Sequence, residues 1–370
     1  MSRIRVASVV GARPQFMKAS VLSKEFLRRS NFEEILIHSG QHFDHNMSSK
    51  IIDELFDKKF DFILSAGNKN EIDMTSYILS NLQKLFKKTK PDAVIVFGDT
   101  TTTLASALTA RKMNIPIIHA ESGVRNYDNY MPEEINRILV DRISTINICA
   151  TSVGKNNLEK EGFGTDVIES KIKICGDLMY DAYLETINNL RSEFSPLIKE
   201  HKLSEGKFIL CTIHRSSNVD NLKTLKNIVT ALNDINKFIP IIFPVHPRTK
   251  QKLLDFKLKL ECITIDPITY KETIHLLKDC NSVITDSGGL VRESYFSKKL
   301  SLMLLESPVW PEINKEEASL NIKPEIDLIV QGFKKLQNLK PNYNNKIFGE
   351  GKTAGRIVDL IEEQILSTRK

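Results

Sequence analysis

Residues 115–137 read IPIIHAESGVRNYDNYMPEEINR, and this stretch gives the strongest indication of the fold. Its first four residues form an apolar run that predicts a buried strand. Pro132 predicts the first position of a helix, where a proline gives up no intrahelical hydrogen bond. Charged side chains follow: His119, Glu121, Arg125, Glu133, Glu134 and Arg137. Because ligands bind beyond the carboxyl ends of strands in open parallel sheets, we expect these groups to converge there for acid–base chemistry on an anionic substrate.

The same alternation of short apolar runs and helical patterns continues along the chain. The runs occupy residues 4–10, 35–38, 93–97, 115–118, 146–150 and 172–175, then 208–213, 239–245, 262–265, 283–285 and 300–305. Strands that are buried on both faces and separated by helices are typical of parallel α/β layers. The sequence therefore predicts an α/β protein of two doubly wound parallel-sheet, Rossmann-like domains that face a cleft.

A polar, helix-rich stretch after residue 177 separates the two sets of runs and indicates where the domains divide. We place an N-terminal domain at residues 1–176 and a C-terminal domain at residues 177–353. Apolar residues at helical spacing predict a last helix, and we expect residues 354–370 to return to the N-terminal domain. A chain of 370 residues is long for one core and sufficient for two.

The charge balance is mildly positive, with 52 Lys and Arg against 46 Asp and Glu. The lysines are scattered, which argues against a nucleic-acid partner. A net charge of +6 suits an anionic small molecule, although a solvated surface explains most single lysines equally well. The chain shows neither a membrane span nor a secretory signal, so we expect a cytoplasmic protein with no membrane partner.

The chain has five cysteines: Cys149, Cys175, Cys211, Cys262 and Cys280. They form no CxxC pair, and four of the five lie in or beside apolar runs. An odd number of dispersed cysteines predicts buried, reduced thiols and neither a disulfide framework nor a zinc site.

Polar side chains follow three runs of the first half. Arg13 lies at the start of a helix, with Lys18 about one turn later, which favours a phosphate clamp over a solvated turn. His42 suits a structural role as well as a site. Asp99 predicts either a helix N-cap or, together with Glu121, a coupled carboxylate pair whose pKa values are pushed apart.

Further polar side chains bear on the same site. Glu133 and Arg137, four residues apart, are either part of the site or a surface ion pair on one helix face. In the second half, His214, Arg215 and His246 follow runs and would face the cleft. The segment Ser287-Gly288-Gly289 starts a helix and leaves backbone N–H groups open to a phosphate, with Glu293 placed for a ribose diol.

These motifs resemble the non-hydrolysing UDP-N-acetylglucosamine 2-epimerase family over nearly the whole chain. The matching segments, in the family's order, are GARPQFMKAS, SGQHFDHNM, FGDTTTTLASALTA, HAESGVR, MPEEINR, the HR of HRSSN, PVHP and TDSGG. The resemblance implies a fold of two domains like the GT-B glycosyltransferases, a UDP-sugar bound in the cleft, and a homodimer.

The resemblance also implies roles for individual residues. The catalytic polar groups would be Asp99, Glu121, Glu133 and His214. The diphosphate and ribose contacts would be Arg13, His214, Ser287, Gly288, Gly289 and Glu293, with Lys18 and Arg137 in support. An allosteric UDP-GlcNAc site of some family members lies in the region of Gln41, Arg215 and His246.

The family reaction eliminates UDP to give a 2-acetamidoglucal and adds UDP back with the opposite configuration at C2. The C2 proton of the sugar is not acidic, which makes direct abstraction unfavourable. Elimination needs positive charge at the diphosphate leaving group, a carboxylate to take the C2 proton and an acid to return it on the other face. The resemblance implies no metal or redox cofactor.

Three departures from the family pattern leave the sugar open. Ser217 replaces the Glu of HRxEN, Val291 and its neighbours differ after TDSGG, and Leu305 replaces the Arg of LRxxTE. Several phrases are closer to a subgroup that acts on UDP-2,3-diacetamido-2,3-dideoxy-glucuronic acid, with the same reaction type. Two alternatives are a GT-B glycosyltransferase, which does not need the carboxylate cluster, and a nucleotide-sugar-binding protein without catalysis.

Overall fold

A computed structural model of the protein describes residues 3–41, 52, 54–128, 130–190 and 194–368. The chain divides into two compact units, Met1–Ala182 with Ile347–Lys370 and Tyr183–Lys346. It passes from the first unit to the second within one helix, Leu178–Asn188. The domain boundaries that the sequence predicts, at residues 176 and 353, remain predictions.

The first unit is built on a parallel sheet of seven strands in the order β3-β2-β1-β4-β5-β6-β7. The strands are β1 Ile4–Val10, β2 Phe32–His38, β3 Phe62–Ile63, β4 Ala93–Phe97, β5 Ile117–Ala120, β6 Ile146–Cys149 and β7 Lys171–Ile174. The helices are α1 Arg13–Arg28, α2 Glu71–Thr89, α3 Thr101–Lys112, α4 Pro132–Ile143, α5 Ser152–Lys160, α6 Leu178–Asn188 at the boundary, and the last helix of the chain, Thr353–Thr368.

The second unit has a parallel sheet of six strands in the order β10-β9-β8-β11-β12-β13. The strands are β8 Ile209–Thr212, β9 Ile241–Pro244, β10 Ile263–Ile265, β11 Ser282–Thr285, β12 Leu300–Met303 and β13 Ser319–Asn321. The helices are α7 Pro196–Glu200, α8 Ser216–Val219, α9 Leu222–Asn236, α10 Pro247–Asp255, α11 Tyr270–Asp279, α12 Gly288–Phe296, α13 Pro311–Lys315 and α14 Ile326–Leu336; the last helix of the chain is then α15. Two parallel sheets with reversing strand order confirm the predicted doubly wound α/β class.

Hydrophobic periodicity explains why these segments fold as they do. All five residues of β4 are buried, as a strand covered on both faces requires. Helix α9 buries Leu225, Ile228, Leu232 and Ile235, which recur every three or four residues and pack into the core of the second unit. Burying such side chains contributes about 1.5–3 kcal/mol each, so these apolar stripes fix how each helix faces its sheet.

Strand β5 begins two residues later than the predicted run and extends to Ala120. Pro116 has no N–H to give to the sheet, and its carbonyl instead accepts the hydrogen bond from Val94 N at 2.9 Å. Because β5 extends to Ala120, His119 lies inside the strand, and its side chain is fully buried. The expectation that His119 projects beyond the strand end is therefore wrong.

Helix α15 packs against α1 within the first unit. Arg29 Nη1 donates to Asp359 Oδ1 at 2.6 Å, and Asn31 Nδ2 donates to Glu362 Oε1 at 2.7 Å. At the start of α15, Ala354 N donates to Asp181 Oδ2 at 2.9 Å. None of the helices in the described ranges has both the length and the apolar character needed to cross a bilayer.

Candidate functional site

The topology marks one sheet edge in each unit for a ligand. Strand order reverses between β1 and β4 in the first unit and between β8 and β11 in the second. Ligands of doubly wound folds bind outside the carboxyl ends of the strands at such a point. The predicted site residues follow these strands: Arg13 after β1, Asp99 after β4, His214 after β8 and Ser287 after β11.

Two left-handed residues end β4 and β5. Gly98 has a φ of 63° and Glu121 a φ of 73°. A left-handed conformation is uncommon for a residue with a side chain, costs about 1–3 kcal/mol and is concentrated at functional sites. Two hydrogen bonds to Ile148 O, from Glu121 N and Ser122 N at 3.0 Å each, hold the turn. These hydrogen bonds fix Glu121 on the turn that directly follows β5.

Lys18 and Glu121 form a largely buried ion pair. Lys18 Nζ lies 2.7 Å from Glu121 Oε2. A Cβ placed on Gly98 would lie 3.6 Å from Lys18 Nζ and 3.8 Å from Glu121 Oε1, so the bare glycine backbone adjoins the pair. The structure therefore brings together groups that the sequence placed on α1 and after β5.

Asp99 pairs with Arg137 of α4. Arg137 Nη2 donates to Asp99 Oδ2, and Arg137 Nη1 donates to Glu134 Oε2 at 2.7 Å. Burial by itself would lower the pKa of the Arg137 guanidinium, but the two carboxylates outweigh burial and raise the pKa. Asn136 Nδ2 donates to the Asp99 carbonyl at 2.9 Å, which adds a second link from α4.

The alternative of a surface ion pair between Glu133 and Arg137 is wrong. Arg137 is buried and binds Glu134 three residues earlier, whereas Glu133 is exposed and makes no ion pair with the described residues. Glu134 is fully buried and accepts hydrogen bonds from the backbone N–H groups of Asn126 and Tyr127. Glu134 thus holds the loop before α4, and Glu133 is the carboxylate that solvent reaches.

Arg125 does not converge with the site, contrary to the first expectation. Its guanidinium lies 2.8 Å from Asp141 Oδ2 and donates to Glu161 Oε1 at 2.8 Å. Asp141 also lies 2.7 Å from His119 Nδ1, and all three side chains are buried. These residues form a charged network beneath the strand ends. Asp141 had no predicted role, because it lies in the last turn of α4 and follows no strand directly.

Gln15 is a structural residue that the sequence analysis missed, although it lies within the GARPQFMKAS segment. Its Oε1 accepts from Gly11 N at 2.7 Å and Ala12 N at 3.1 Å. Its Nε2 donates to Phe97 O at 2.8 Å, so Gln15 ties the turn after β1 to the end of β4. Arg13, the first residue of α1, is half-buried on that turn.

Gln41 lies at the end of the turn after β2. Its Oε1 accepts from Thr102 N at 3.0 Å and from Thr102 Oγ1 at 2.7 Å, at the N-terminus of α3. Asp99 is not the N-cap of α3, because Thr100 takes that position and accepts from Thr103 N. His42, the other candidate of this turn, lies outside the described residues.

In the second unit, Asp286 organises the strand ends. Its buried carboxylate accepts from His214 N at 3.0 Å and Arg215 N at 2.9 Å, and from Asn218 Nδ2 at 3.1 Å. It also lies 3.0 Å from His214 Nδ1. Burial would raise the pKa of the Asp286 carboxyl, but the hydrogen bond from His214, the charge of that ring and the other donors lower it. Asp286 therefore orients His214, whose side chain is 44% exposed.

Sequence reasoning quoted Asp286 within TDSGG but assigned it no role. Its position directly after β11 was the signal that could have identified it.

Ser287, Gly288 and Gly289 form the start of α12. Ser287 is the N-cap, and its Oγ accepts from Leu290 N at 3.3 Å. The first turn of a helix leaves backbone N–H groups without intrahelical partners, which suits an anion. Among the described residues, a Cβ on Gly289 would meet only Ser287 Oγ within 4 Å, at 3.6 Å, whereas a Cβ on Gly288 would lie 3.2 Å from Val309 Cγ1, so the turn is open at Gly289 and covered at Gly288. Glu293, later in the same helix, is buried.

The remaining candidates lie on turns of the second unit. Arg215 Nε donates to the Asp286 carbonyl at 2.7 Å. His246 is the exposed N-cap of α10, and its Nδ1 accepts from Arg248 N at 3.2 Å. The centroids of the His214 and His246 rings are 6.3 Å apart. Across the part of the chain that the structure describes, no group of three or more His, Cys, Asp or Glu side chains is arranged to hold a metal ion.

Two doubly wound units with polar strand ends define an α/β protein of the GT-B type. A family model described as UDP-N-acetylglucosamine 2-epimerase matches residues 24–362. The chain belongs to this family, which confirms the resemblance found in its motifs.

Relatives and solved structures match nearly the whole chain. It is 37% identical to UDP-2,3-diacetamido-2,3-dideoxy-D-glucuronate 2-epimerase of Pseudomonas aeruginosa, covering 97% of this chain and 99% of the relative. It is 36% identical, with the same coverage, to a UDP-N-acetylglucosamine 2-epimerase homolog of Methanococcus maripaludis. The UDP-GlcNAc 2-epimerase of Methanocaldococcus jannaschii, crystallised with UDP-GlcNAc and UDP, matches with a TM-score of 0.89 at 32% identity, covering 97% of this chain and 100% of that one.

Proposed function

We propose that the protein epimerises C2 of a UDP-linked 2-acetamido sugar, converting UDP-GlcNAc to UDP-ManNAc. The observation that carries this proposal is the pairing of two site carboxylates with buried cations at the ends of β4 and β5. Glu121 is bound by Lys18, and Asp99 is bound by Arg137. A family of epimerases and a carboxylate cluster at the topological ligand position support the same reaction.

In the proposed first step, a carboxylate takes the C2 proton, the C2–H electrons form the C1=C2 bond, and the C1–O bond breaks to release UDP. The product is a 2-acetamidoglucal. In the second step UDP adds back to C1 and a proton returns to the opposite face of C2. We assign these proton transfers at C2 to Glu121 and Glu133, with Asp99 and His214 as the other catalytic polar groups.

The cations of the first unit serve the chemistry by holding two carboxylates in place. Lys18 and Arg137 each place a positive charge on one carboxylate, so Glu121 and Asp99 keep fixed positions when a substrate arrives. Glu133 is exposed at the N-terminus of α4, where the helix dipole favours a negative charge.

We assign UDP binding mainly to residues of the second unit. Ser287, Gly288 and Gly289 supply hydroxyl and backbone donors to the diphosphate, and Glu293 accepts hydrogen bonds from the ribose. His214 donates Nδ1–H to Asp286, which leaves Nε2 for the substrate. Arg13 of the first unit adds a positive charge for the diphosphate.

A second substrate is favoured by a specific observation. The relative from Pseudomonas aeruginosa, at 37% identity, is an epimerase of UDP-2,3-diacetamido-2,3-dideoxy-D-glucuronate. The departures at Ser217, Val291 and Leu305 from the pattern of UDP-GlcNAc 2-epimerases agree with a different sugar. The alternative proposal is the same C2 reaction on this diacetamido uronate.

One experiment decides between these proposals. The purified protein is incubated in D₂O with UDP-GlcNAc or with the diacetamido uronate, and C2 is followed by NMR. Deuterium at C2 together with the manno product identifies the substrate. Binding of both nucleotides without exchange would instead support a non-catalytic nucleotide-sugar-binding protein and contradict the epimerase.

The wider setting of the reaction is also a proposal. We infer a cytoplasmic homodimer that supplies a precursor for a polysaccharide or other glycan, and light scattering of the purified protein tests the dimer. Gln41, Arg215 and His246 are candidates for an allosteric UDP-GlcNAc site. Activation by UDP-GlcNAc that disappears in His246→Ala would support that site, whereas hyperbolic kinetics without activation would contradict it.

A further inference from the structure

His119 has no role in the proposed reaction, yet it links three parts of the candidate site. Its ring is fully buried within β5. Nδ1 lies 2.7 Å from Asp141 Oδ1, and Nε2 lies 2.7 Å from the carbonyl oxygen of Gly98. Ser122, which follows Glu121, donates its hydroxyl to the His119 carbonyl at 2.6 Å. The ring therefore lies between α4 and the end of β4, directly below the turn that carries Glu121.

Both ring nitrogens of His119 face acceptors. The Gly98 carbonyl can only accept a hydrogen bond, and an ionised Asp141 carboxylate can only accept as well. A neutral imidazole carries one N–H, so one of the two 2.7 Å contacts would oppose two lone pairs in a buried site. Both contacts are hydrogen bonds only if the imidazole is cationic or if Asp141 carries the proton.

The surroundings of Asp141 favour an ionised carboxylate. Arg125 Nη1 lies 2.8 Å from Asp141 Oδ2, and Gly123 N donates to the same oxygen at 3.1 Å. Burial would raise the pKa of the Asp141 carboxyl, but His119 and Arg125 lower it.

The groups of β6 beside this network are uncharged. On β6, Asn147 Nδ2 donates to the Asp141 carbonyl at 3.0 Å, and burial raises the pKa of the nearby Cys149 thiol, which stays neutral. Glu161 also pairs with Arg125, so apart from His119 the network holds one cation and two anions.

We propose that His119 is a positioning residue, held as an imidazolium, that fixes the turn carrying Asp99 against helix α4. Resting on the proposed epimerase function, this role follows from connectivity. Gly98 directly precedes Asp99, and its carbonyl is drawn down by His119 Nε2. Asp141 lies one turn after Arg137 on α4. Helix α4 therefore holds the Asp99 turn at two points: Arg137 binds the Asp99 carboxylate directly, and Asp141 binds His119, which in turn binds the Gly98 carbonyl.

The proposal predicts a defined kinetic effect. If the His119 ring carries only one N–H, the Gly98 carbonyl loses its hydrogen-bond donor. The turn can then shift and displace Asp99. Displacement of a catalytic group by about 1 Å lowers rates by about 10²-fold. Because the diphosphate and ribose contacts are assigned mainly to the second unit, kcat should fall while KM for the nucleotide sugar changes little.

The protonation state is tested without any activity measurement. The protein contains eight histidines, and selective ¹⁵N labelling of their rings distinguishes cationic from neutral forms by NMR. At about pH 8, where an ordinary histidine is neutral, one ring should keep protons on both nitrogens, and that signal should disappear or become neutral in Asp141→Asn. A spectrum with no cationic ring at this pH, or a cationic ring that survives in Asp141→Asn, would overturn the proposal.

The kinetic arm uses a matched pair of variants. Asp141→Asn removes the carboxylate that faces His119, and Glu161→Gln removes the carboxylate at the other end of the same network, away from the ring. The expected result is a loss of about 10²-fold in kcat for the first and a near-normal kcat for the second. Equal losses would indicate a merely structural network. If Asp141→Asn does not fold, His119→Gln takes its place in both measurements.

The two proposals fail in different ways. If the wild-type protein exchanges no C2 proton on either sugar, the function is wrong, and the ring protonation is still decided by the NMR spectrum. If exchange occurs but His119 is neutral, the function stands and the positioning role is wrong.

Discussion

Lys18 Nζ and Glu121 Oε2 are 2.7 Å apart, in a pair of which only 4% of the lysine side chain and 16% of the glutamate side chain are exposed. Removing one partner of a buried pair leaves a poorly solvated charge, which is costly, whereas removing both costs less. The pair therefore contributes to the stability of the first unit and also fixes the position of Glu121 in the candidate site.

We expect Lys18→Met to destabilise the protein strongly when Glu121 is present and weakly in the Glu121→Gln background. The coupling free energy should be about 0.5–3 kcal/mol, the range for contacting residues. A double-mutant cycle measured by urea unfolding gives this quantity. Additive effects of the two substitutions would show that the buried pair contributes no coupling.

Asp99→Asn should still bind UDP but lose deuterium exchange at C2. The amide keeps the shape of the side chain, yet it removes the negative charge that pairs with Arg137, and a positioned acid or base typically contributes about 10²–10⁴-fold. Calorimetry with UDP and NMR in D₂O measure the two properties. The control is Asp166→Asn, an exposed carboxylate of the same unit. Unchanged turnover in Asp99→Asn would remove Asp99 from the reaction.

Ser287→Ala should weaken UDP binding and destabilise the second unit. The substitution removes both the N-cap of α12 and a hydroxyl assigned to the diphosphate, and loss of a cap costs about 1 kcal/mol. Asn221→Ala is the matched control, because Asn221 caps α9 by accepting from Thr224 N at 3.1 Å. If both variants lower the free energy of unfolding equally and bind UDP equally, the Ser287 hydroxyl has no part in binding.

Glu34 should make stability depend on pH in an unusual direction for a carboxylic acid. Burial raises its pKa, and the hydrogen bonds from Ser23 at 2.5 Å and Ser8 at 2.6 Å only partly oppose this. Since the folded state holds the proton more tightly, this contribution is full below the unfolded pKa and is lost as pH rises through the folded pKa.

Glu34→Gln lacks this titration and should gain stability relative to the wild type as the pH rises above the ordinary glutamate pKa of about 4.3. Thermal unfolding across this range measures the difference, and the exposed neighbour Glu33→Gln is the control. A constant difference between Glu34→Gln and wild type would show that Glu34 does not titrate in this range.

The five thiols should resist alkylation in the folded protein. All five are buried, which confirms the predicted burial. Burial raises the pKa of Cys175 and Cys262 to about 11 and of Cys280 to about 12, and it raises those of Cys149 and Cys211 as well. Because the thiolate is the reactive form, iodoacetamide at about pH 8 should label them only after unfolding. Rapid labelling of native protein, followed by mass spectrometry, would contradict this.

The strand ends were predictable because their signal is local. An apolar run, a small or polar residue and a helix start define a βα turn within a few residues, and Asp99, Ser287 and His214 all lie on such turns. The parallel class followed from the alternation of runs and helices. The two-residue strand β3 was not recognised, because so short a strand shows no periodicity.

Side-chain direction was not predictable. Glu133 and Glu134 are adjacent in sequence, and the rotation of α4 about its axis decides which of them faces inward. Packing of Val140 in the core sets that rotation, turning Glu134 into the protein and Glu133 toward solvent. Similarly, β5 extends to Ala120 and so includes His119, whose ring is buried by contacts that the local sequence does not show.

The α/β class, the family and the strand ends of the candidate site could be predicted from the sequence, since periodicity and turn chemistry are properties of neighbouring residues. Which charged side chains pair with one another could be seen in the tertiary structure alone. Lys18 and Glu121 are 103 positions apart in the chain (121 − 18), and Asp286 reaches His214 from a different strand. Such pairings depend on the order of the strands and on the rotation of the helices. Burial of the whole core fixes both, so no local segment of sequence is enough to predict the pairings.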